Sequence, residues 1–228
     1  MYLTRFRFNT ARRGARDLLE GPQRIHAAVL HGFPDPERLQ DESGRVLWRV
    51  DQTSRHDALL YIASPDAPDL THLVEEAGWP ARSADDGWDT RSYDKLLARL
   101  ENGQLWAFRL TANPTRHQRV RQDGPRVWTP LIDPGQQLQW LLDRSQARGF
   151  TILSMENGEP IVAIQESSWL YFTKLEGRRA VTLRSATFEG LLKVSDADAL
   201  RRSLTFGIGR ARAYGCGMLT LAPLHGGR

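Results

Sequence analysis

Alternating and periodic apolar positions divide the first hundred residues into strands and helices. Residues Tyr2–Phe8 alternate between apolar and polar or charged side chains, as in a half-buried strand. A helix is predicted from Pro22, because proline suits a first helical turn and Ile25 and Val29 continue an apolar stripe. The remaining predicted elements of this half are strands at 46–50 and 58–63 and a short acidic helix at Thr71–Ala77.

The second half repeats this succession of elements. A strand is predicted at Leu105–Ala112 and a helix at 134–148, and Ser195 is the expected N-cap of a last helix at 195–204. Residues 114–130 carry many basic and few apolar side chains, so we expect a mobile basic loop there. The other predicted strands are 150–155, 161–164, 169–174, 179–189 and 218–222, the third pairing with the fourth.

Two successive βαββαβ patterns predict an α+β protein built from tandem ferredoxin-like domains. The same sheet is the scaffold of RNA-recognition-motif proteins, so the fold is also RRM-like. We expect an N-terminal domain at 1–100 and a C-terminal domain at 104–228. Function does not follow from this fold, because one fold supports many unrelated activities.

Composition and charge narrow the class of partner. The chain has 228 residues, 40% hydrophobic and 25% charged, as in an ordinary globular protein without a membrane span. The single cysteine, Cys216, predicts a reducing, cytoplasmic location. The net charge of +4 is uneven: residues 1–34 carry +4 and 169–228 carry +6, whereas 35–103 carry −7. Basic ends favour a polyanionic partner, although scattered solvated side chains are the alternative.

Four glycines and two arginines are concentrated between the last helix and the last strand. Glycine brings backbone N–H groups close to a ligand, and the planar donors of arginine suit phosphate. The glycines follow a helix instead of preceding one, which argues against a dinucleotide site or a P-loop. A tight connection and a backbone-contacting anion site both remain open from the spacing alone. The residues are Gly207, Gly209, Arg210, Arg212, Gly215 and Gly217.

Among the titratable groups, His26 is the strongest candidate for proton transfer near neutral pH. It lies on the first predicted helix, with Gln23 one turn earlier and Arg24 nearby; a purely structural histidine is the alternative. His117 in the basic segment is a second candidate, whereas Cys216 has no partner histidine at a recognisable spacing. None of the six histidines has the spacing of a metal motif, so no metal or cofactor is expected.

Three segments together resemble one known family. They are the strand Met1-Tyr2-Leu3-Thr4, the helix with His26, and the run Phe188-Glu189-Gly190-Leu191-Leu192-Lys193-Val194 that leads into the glycine-rich signature. In these segments, and over essentially its whole length, the chain resembles the CasE family of CRISPR-associated endoribonucleases from type I-E systems. The resemblance implies tandem ferredoxin-like domains.

The resemblance also implies an activity and its partners. Members of the family cut CRISPR precursor transcripts within each repeat, beside a stem-loop, without a metal. The 2′-hydroxyl attacks the adjacent phosphodiester and leaves a 2′,3′-cyclic phosphate and a 5′-hydroxyl. The protein then holds the 3′ hairpin of the processed crRNA as a subunit of the Cascade surveillance complex.

The resemblance assigns His26 the role of general acid or base. Several relatives carry tyrosine three residues earlier, where this chain has Gln23, which cannot donate a proton as a phenol does. Either that tyrosine is dispensable, or Arg24, Tyr2 or Tyr214 fills part of its place. The alternative function is a non-catalytic subunit that binds the same RNA hairpin. The expected RNA contacts are Lys174, Arg178, Arg179 and Arg184 on a β-hairpin and the glycine-rich residues named above.

Overall fold

The first half of the chain forms a four-stranded antiparallel sheet with helices packed on it. We describe a computed structural model over residues 1–35, 40–54, 56–80, 87–119, 124–173 and 180–224. The elements are β1 Tyr2–Phe8, α1 Arg13–Leu19, α2 Pro22–His31, β2 Leu47–Ser54, β3 Asp57–Ser64, α3 Thr71–Ala77, β4 Trp88–Ser92 and α4 Asp94–Ala98. The strand order β2-β3-β1-β4 is that of a ferredoxin-like unit.

The core of this half follows from the alternation in β1. Phe6 and Phe8 lie on one face of the strand and are fully buried, packed in one cluster with Ile25 and Val29 of α2 and Leu73 of α3. Burial of each large apolar side chain contributes about 1.5–3 kcal/mol. The cluster therefore holds α2, and with it His26, firmly against the sheet.

The second half forms a five-stranded sheet of the same topology. Its elements are β5 Leu105–Ala112, β6 Thr115–Arg119, β7 Arg126–Pro130, α5 Pro134–Ser145, β8 Phe150–Ile152, β9 Val162–Thr173, β10 Ala180–Val194, α6 Ala197–Phe206 and β11 Leu219–Ala222. Short 3-10 helices span Gln146–Arg148 and Arg212–Tyr214. The strand order is β11-β5-β10-β8. β9 pairs with residues 180–190 of β10, which precede the residues that pair with β8. Tandem ferredoxin-like units are thus confirmed.

The two halves share buried surface. Leu47 of β2 and Ala63 of β3 belong to the same apolar cluster as Phe188 of β10 and Leu204 of α6. Arg49 of β2, only 3% exposed, adds a polar connection across this contact. The two sheets are consequently held in a fixed relative position.

Arg49 is bonded to both halves at once. Its Nε and Nη2 donate to the Asp51 carboxylate at 2.7 and 2.8 Å. Nη1 donates to the carbonyl oxygens of Arg109 and Met218 at 3.1 and 3.2 Å, and Nη2 also reaches Thr220 Oγ1 at 3.0 Å. A buried guanidinium needs such complete pairing to offset its desolvation. Arg49 therefore ties β2 to β5 and to the segment around β11.

The expectation of a loop at 114–130 is wrong over the described part of that segment, 114–119 and 124–130; residues 120–123 lie outside the described residues. Within it, β6 and β7 form a two-stranded antiparallel sheet with Thr115 opposite Pro130 and His117 opposite Trp128. Thr115 is buried, and the His117 and Trp128 rings stack with centroids 4.6 Å apart. Cross-strand packing of this kind replaces the apolar alternation that the segment lacks.

Two further expectations need correction. Over the described residues, the predicted strands 161–164 and 169–174 lie in one continuous strand, β9, because residues 166–168 between them pair with residues 185–187 of β10. Ser168 Oγ also lies 3.2 Å from Ser185 Oγ. The N-cap of α6 is Asp196 and not Ser195. The Asp196 carboxylate accepts from the Ala199 backbone N–H at 3.0 Å.

The sequence pattern missed α1, β4 and α4. β4 completes the first sheet by pairing antiparallel with β1, from Tyr2 opposite Ser92 to Phe6 opposite Trp88.

Among the described residues, no helix has the length and apolar content needed to cross a bilayer.

Candidate active site

The candidate site lies where α2 of the first sheet meets the glycine-rich connection of the second. Ile25 anchors α2 in the first core, and the next residue, His26, is half-buried on the side that faces Tyr214. The His26 and Tyr214 ring centroids are 6.4 Å apart in an edge-to-face arrangement. Phe172 of β9 also packs against Tyr214, with the two ring centroids 4.6 Å apart.

The environment of His26 favours its neutral form. Burial lowers the pKa of its imidazole below the ordinary value, and the nearby positive charge of Arg45 lowers it further. Within the described part of the chain, His26 Nδ1 is buried and has no hydrogen-bond partner. A neutral imidazole with a free nitrogen is able to accept a proton near neutral pH.

Of the residues expected near His26, some lie beside it and others are bonded elsewhere. Gln23 lies one helical turn before it and is half-buried. Arg24 is exposed and hydrogen-bonded to other residues. Its Nη1 donates to Asp17 O at 2.7 Å and to Glu20 Oε2 at 3.2 Å. Of the three side chains considered in place of the family tyrosine, Tyr214 is the one that reaches the His26 ring.

The four glycines of the connection are explained by close packing inside the protein. Each has a positive φ, from 76° to 91°, which L side chains rarely adopt. A Cβ on Gly215 would lie 2.7 Å from the Trp48 ring, and one on Gly207 would lie 2.9 Å from Leu47. The glycines thus let the connection dock on β2, and their contact with RNA backbone stays a prediction.

Three arginines from separate segments converge, and one of them, Arg45, is close enough to His26 to lower its pKa. Arg212 lies in the connection, Arg45 precedes β2, and Arg148 ends the 3-10 helix after α5. Burial lowers the pKa of Arg212, and the charges of Arg45 and Arg148 lower it further. Within the described residues, the Nε atoms of Arg45 and Arg212 are buried without a hydrogen-bond partner. We refer to these three residues as the arginine cluster; like charges brought together with unused donors suit an anion.

The sequence pattern missed Arg45 and Arg148. Neither lies in a motif, and each is separated from the other cluster members by more than sixty positions. Arg45 is held in place by its backbone N–H, which donates to Thr205 O at 3.1 Å. Only the packing of β2 against the end of α6 brings it to the site.

Of the four residues predicted to contact RNA from the β9–β10 hairpin, only Arg184 is among the described residues. Arg184 lies on β10 with its guanidinium carbon 5.5 Å from the centroid of the Trp169 ring. Its Nε is buried and lacks a partner within the described residues. Lys174, Arg178 and Arg179 lie outside the described residues. Arg210 stacks on the β6–β7 hairpin, with its guanidinium carbon 4.4 Å from the Trp128 ring centroid.

A cleft of about 170 Å³ opens between the two halves beside Tyr214. Its lining residues also include Ile25, Trp48 and Leu170. Cys216 also borders it, but its thiol is fully buried and burial raises its pKa to about 12. A thiol with that pKa is a poor nucleophile at neutral pH. Across the described ranges, no group of three or more His, Cys, Asp or Glu side chains could hold a metal ion.

Comparison with known proteins gives consistent matches over the whole chain. Residues 1–223 match the family model described as CRISPR associated protein. The chain is 28% identical to the CRISPR-associated endoribonuclease Cse3 of Thermus thermophilus, over 98% of this chain and 100% of that protein. It is also 28% identical to the CRISPR system Cascade subunit CasE of Escherichia coli, over 94% and 96% of the two chains.

A solved structure shares the fold. The structure of CRISPR endoribonuclease Cse3 bound to a 19-nucleotide RNA superposes with a TM-score of 0.78. It is 28% identical, and the match covers 98% of this chain and 100% of that one. The sequence, the tandem fold and these relatives agree, and the chain belongs to the CRISPR associated protein family, as a member of its CasE group.

Proposed function

We propose that the protein is an endoribonuclease that cleaves CRISPR precursor RNA within each repeat, beside a stem-loop. It then remains bound to the 3′ hairpin of the mature crRNA in a Cascade complex, with the other Cascade subunits as partners. The observation that carries the proposal is the pairing of a neutral, half-buried His26 with the adjacent arginine cluster. This arrangement combines a proton acceptor with an anion site at one point of the surface. The proposal puts the protein in the cytoplasm, where transcripts are available.

The proposed reaction is a transesterification within the RNA strand. The 2′-oxygen forms a bond to phosphorus as the bond from phosphorus to the 5′-oxygen breaks, which gives a 2′,3′-cyclic phosphate and a 5′-hydroxyl. One proton leaves the 2′-hydroxyl and one is added to the leaving oxygen. His26 is the general acid or base for one of these transfers. Arg45 and Arg212 stabilise the extra negative charge on the phosphoryl oxygens in the transition state.

In this proposal the two halves have different roles, catalysis and RNA binding. The N-terminal domain, 1–100, carries the catalytic histidine, and the C-terminal domain, 104–228, holds the RNA. Arg184, Arg210 and Arg212 contact phosphates, as do Lys174, Arg178 and Arg179. Gly207, Gly209, Gly215 and Gly217 allow the RNA backbone to pass close to the connection. A stem of duplex RNA suits such contacts, because side chains cannot read its deep, narrow major groove and contacts to shape and phosphates dominate.

Gln23 favours a second candidate function, a hairpin-binding subunit that does not cleave. Tyr214 is placed to supply a phenol near His26, which supports cleavage over this alternative. The test is incubation with the cognate repeat RNA in EDTA, using an all-ribose RNA and one with a 2′-deoxy scissile nucleotide. Cleavage of the ribose RNA alone is expected. Cleavage of the deoxy RNA would refute 2′-hydroxyl attack, and no cleavage of either would leave the binding subunit.

A further inference from the structure

The β6–β7 hairpin is an insertion that belongs to neither main sheet. It follows β5 directly and returns to α5, and it pairs with no other strand among the described residues. Its register places Thr115 and Pro130, His117 and Trp128, and Arg119 and Arg126 on the same face. We refer to this side as the aromatic face of the hairpin. Nothing in the ferredoxin-like topology requires it, so its composition calls for another explanation.

The aromatic face exposes flat rings to solvent. Trp128 is 46% exposed, and His117 is exposed beside it with an angle of 21° between the two rings. The guanidinium of Arg210 lies on the Trp128 ring, 4.4 Å from its centroid. Stacked aromatic and guanidinium planes are the surfaces on which unpaired bases stack.

The hairpin is also strongly cationic. Its described residues, 115–119 and 124–130, include Arg116, Arg119 and Arg126 and no carboxylate. A groove of about 280 Å³ separates the hairpin from α5, where Arg144 stacks on Trp140 at 4.6 Å. Exposed rings between positive charges fit a polyanion that carries aromatic groups of its own. Single-stranded nucleic acid has both properties.

The hairpin is connected to the candidate active site through the glycine-rich connection. Arg210 at one end of the connection lies on Trp128, and Tyr214 at the other end lies against His26. Arg212 of the arginine cluster lies between them in the sequence. An RNA strand that reached from the site to the hairpin would follow the connection that carries Arg212 and Arg210.

We propose that the aromatic face of the β6–β7 hairpin binds unpaired nucleotides that flank the stem-loop, with a base stacked on the open face of the His117 ring, whose other face lies on Trp128. The proposal deepens the proposed function and rests on it for the identity of the RNA. Duplex RNA is a poor occupant, because its bases are already stacked and its major groove is too narrow for these rings. Arg126 contacts the phosphates of the unpaired segment.

The test compares three cleavage-resistant RNAs with a 2′-deoxy scissile nucleotide: the bare stem-loop, the stem-loop with an unpaired 5′ flank, and the stem-loop with an unpaired 3′ flank. Dissociation constants are measured at one salt concentration. Wild-type protein is expected to bind one flanked RNA more tightly than the bare stem-loop. His117→Ala and Arg126→Gln should each weaken that binding roughly 5- to 30-fold. Binding of the bare stem-loop should change less than about twofold.

Matched controls use exposed residues far from the hairpin. His56→Ala and Arg99→Gln remove the same side-chain types and should leave all three affinities unchanged. Trp128→Ala risks disturbing the hairpin, so Trp128→Phe, which keeps a ring, is included and should retain more flank binding than Trp128→Ala. Circular dichroism checks that each variant is folded.

Two results would overturn the inference. One is equal binding of bare and flanked RNAs by the wild-type protein. The other is a loss in His117→Ala and Arg126→Gln that is the same for all three RNAs, or no loss for any, as a protein-binding surface would give. Cleavage of the all-ribose repeat RNA is measured in parallel. A protein that shows flank-dependent binding but does not cut refutes the proposed cleavage while leaving this inference standing.

Discussion

His26 and Tyr214 come from opposite ends of the chain, and their rings meet edge to face with centroids 6.4 Å apart. His26 is positioned by the core of the first sheet, and Tyr214 by a connection of the second sheet that docks on β2. The candidate site is therefore a property of the interface between the two halves. Neither half alone contains it.

Replacing His26 with alanine should abolish most cleavage while RNA binding survives. General acid–base catalysis contributes typically 10²- to 10⁴-fold, so the single-turnover rate constant should fall by about that factor. The dissociation constant for uncleavable RNA should change only slightly, because His26 contributes no formal charge in its neutral form. His56→Ala, an exposed histidine of the same half, is the control. A His26→Ala protein that cuts at the normal rate would remove His26 from the mechanism.

The rate of cleavage should depend on pH through the protonation of His26. Arg45 should determine the pH at which the rate begins to rise. The positive charge of Arg45 lowers the His26 pKa, so Arg45→Gln should raise it. If neutral His26 is the base, the rising acidic limb of the pH–rate profile should then move to higher pH. The limb is measured in single-turnover reactions, with Arg99→Gln as the control. An unmoved limb in Arg45→Gln would mean that it reports another group.

Arg212→Gln should weaken RNA binding and reduce its dependence on salt. Each phosphate neutralised by a cation contributes about 0.7 to 0.9 to the slope of log K against log salt concentration. The slope for Arg212→Gln should be shallower by about that amount. Arg91→Gln, an exposed arginine on β4, should leave the slope unchanged. If both variants give the wild-type slope, Arg212 makes no phosphate contact.

Gly215→Ala should destabilise the fold more than Gly158→Ala. Both glycines have a positive φ, which costs an L residue about 1–2 kcal/mol. A Cβ at 158 meets nothing within 4 Å, whereas one at 215 lies 2.7 Å from the Trp48 ring. That overlap should add about 1–3 kcal/mol to the loss in free energy of unfolding. Urea denaturation measures the difference; equal losses would show that the connection does not need this close approach.

Arg49→Met should lower the free energy of unfolding by about 3–5 kcal/mol, because it leaves the buried Asp51 carboxylate short of a partner. Arg5→Met is the comparison, since the Arg5 guanidinium is 55% exposed and lies 3.8 Å from Asp89. Loss of that exposed pair should cost less than about 1 kcal/mol. Similar midpoints for the two variants in urea would contradict the role of Arg49 as a connection between the halves.

Strict alternation made much of the fold predictable from the sequence. β1 and the first six residues of β3 bury every second residue, and α2 has both a proline start and an apolar stripe. α1 lacks such signals, because its seven residues include Gly14, which disfavours a helix. In the structure Gly14 packs directly on Glu76 of α3, where a Cβ would not fit. Tertiary packing thus overrides local preference there.

The candidate site was predictable only in part. The histidine and the glycine-rich connection carry recognisable patterns, but Arg45 and Arg148 owe their place to the docking of β2 and α5 around the connection. The β6–β7 hairpin shows the same limit. Its strands are held by the His117–Trp128 stack, a cross-strand contact that alternation of apolar residues does not reveal.

The arginine cluster has a consequence for what happens after the cut. The scissile phosphodiester carries one negative charge, and so does the 2′,3′-cyclic phosphate formed from it. The reaction therefore leaves the charge facing Arg45, Arg148 and Arg212 unchanged and gives the protein no electrostatic reason to release the fragment. Departure of the fragment would again leave two buried guanidinium Nε atoms without an acceptor. Turnover is then expected to stop after one cut per protein molecule, with the product retained as a permanent component of the assembly.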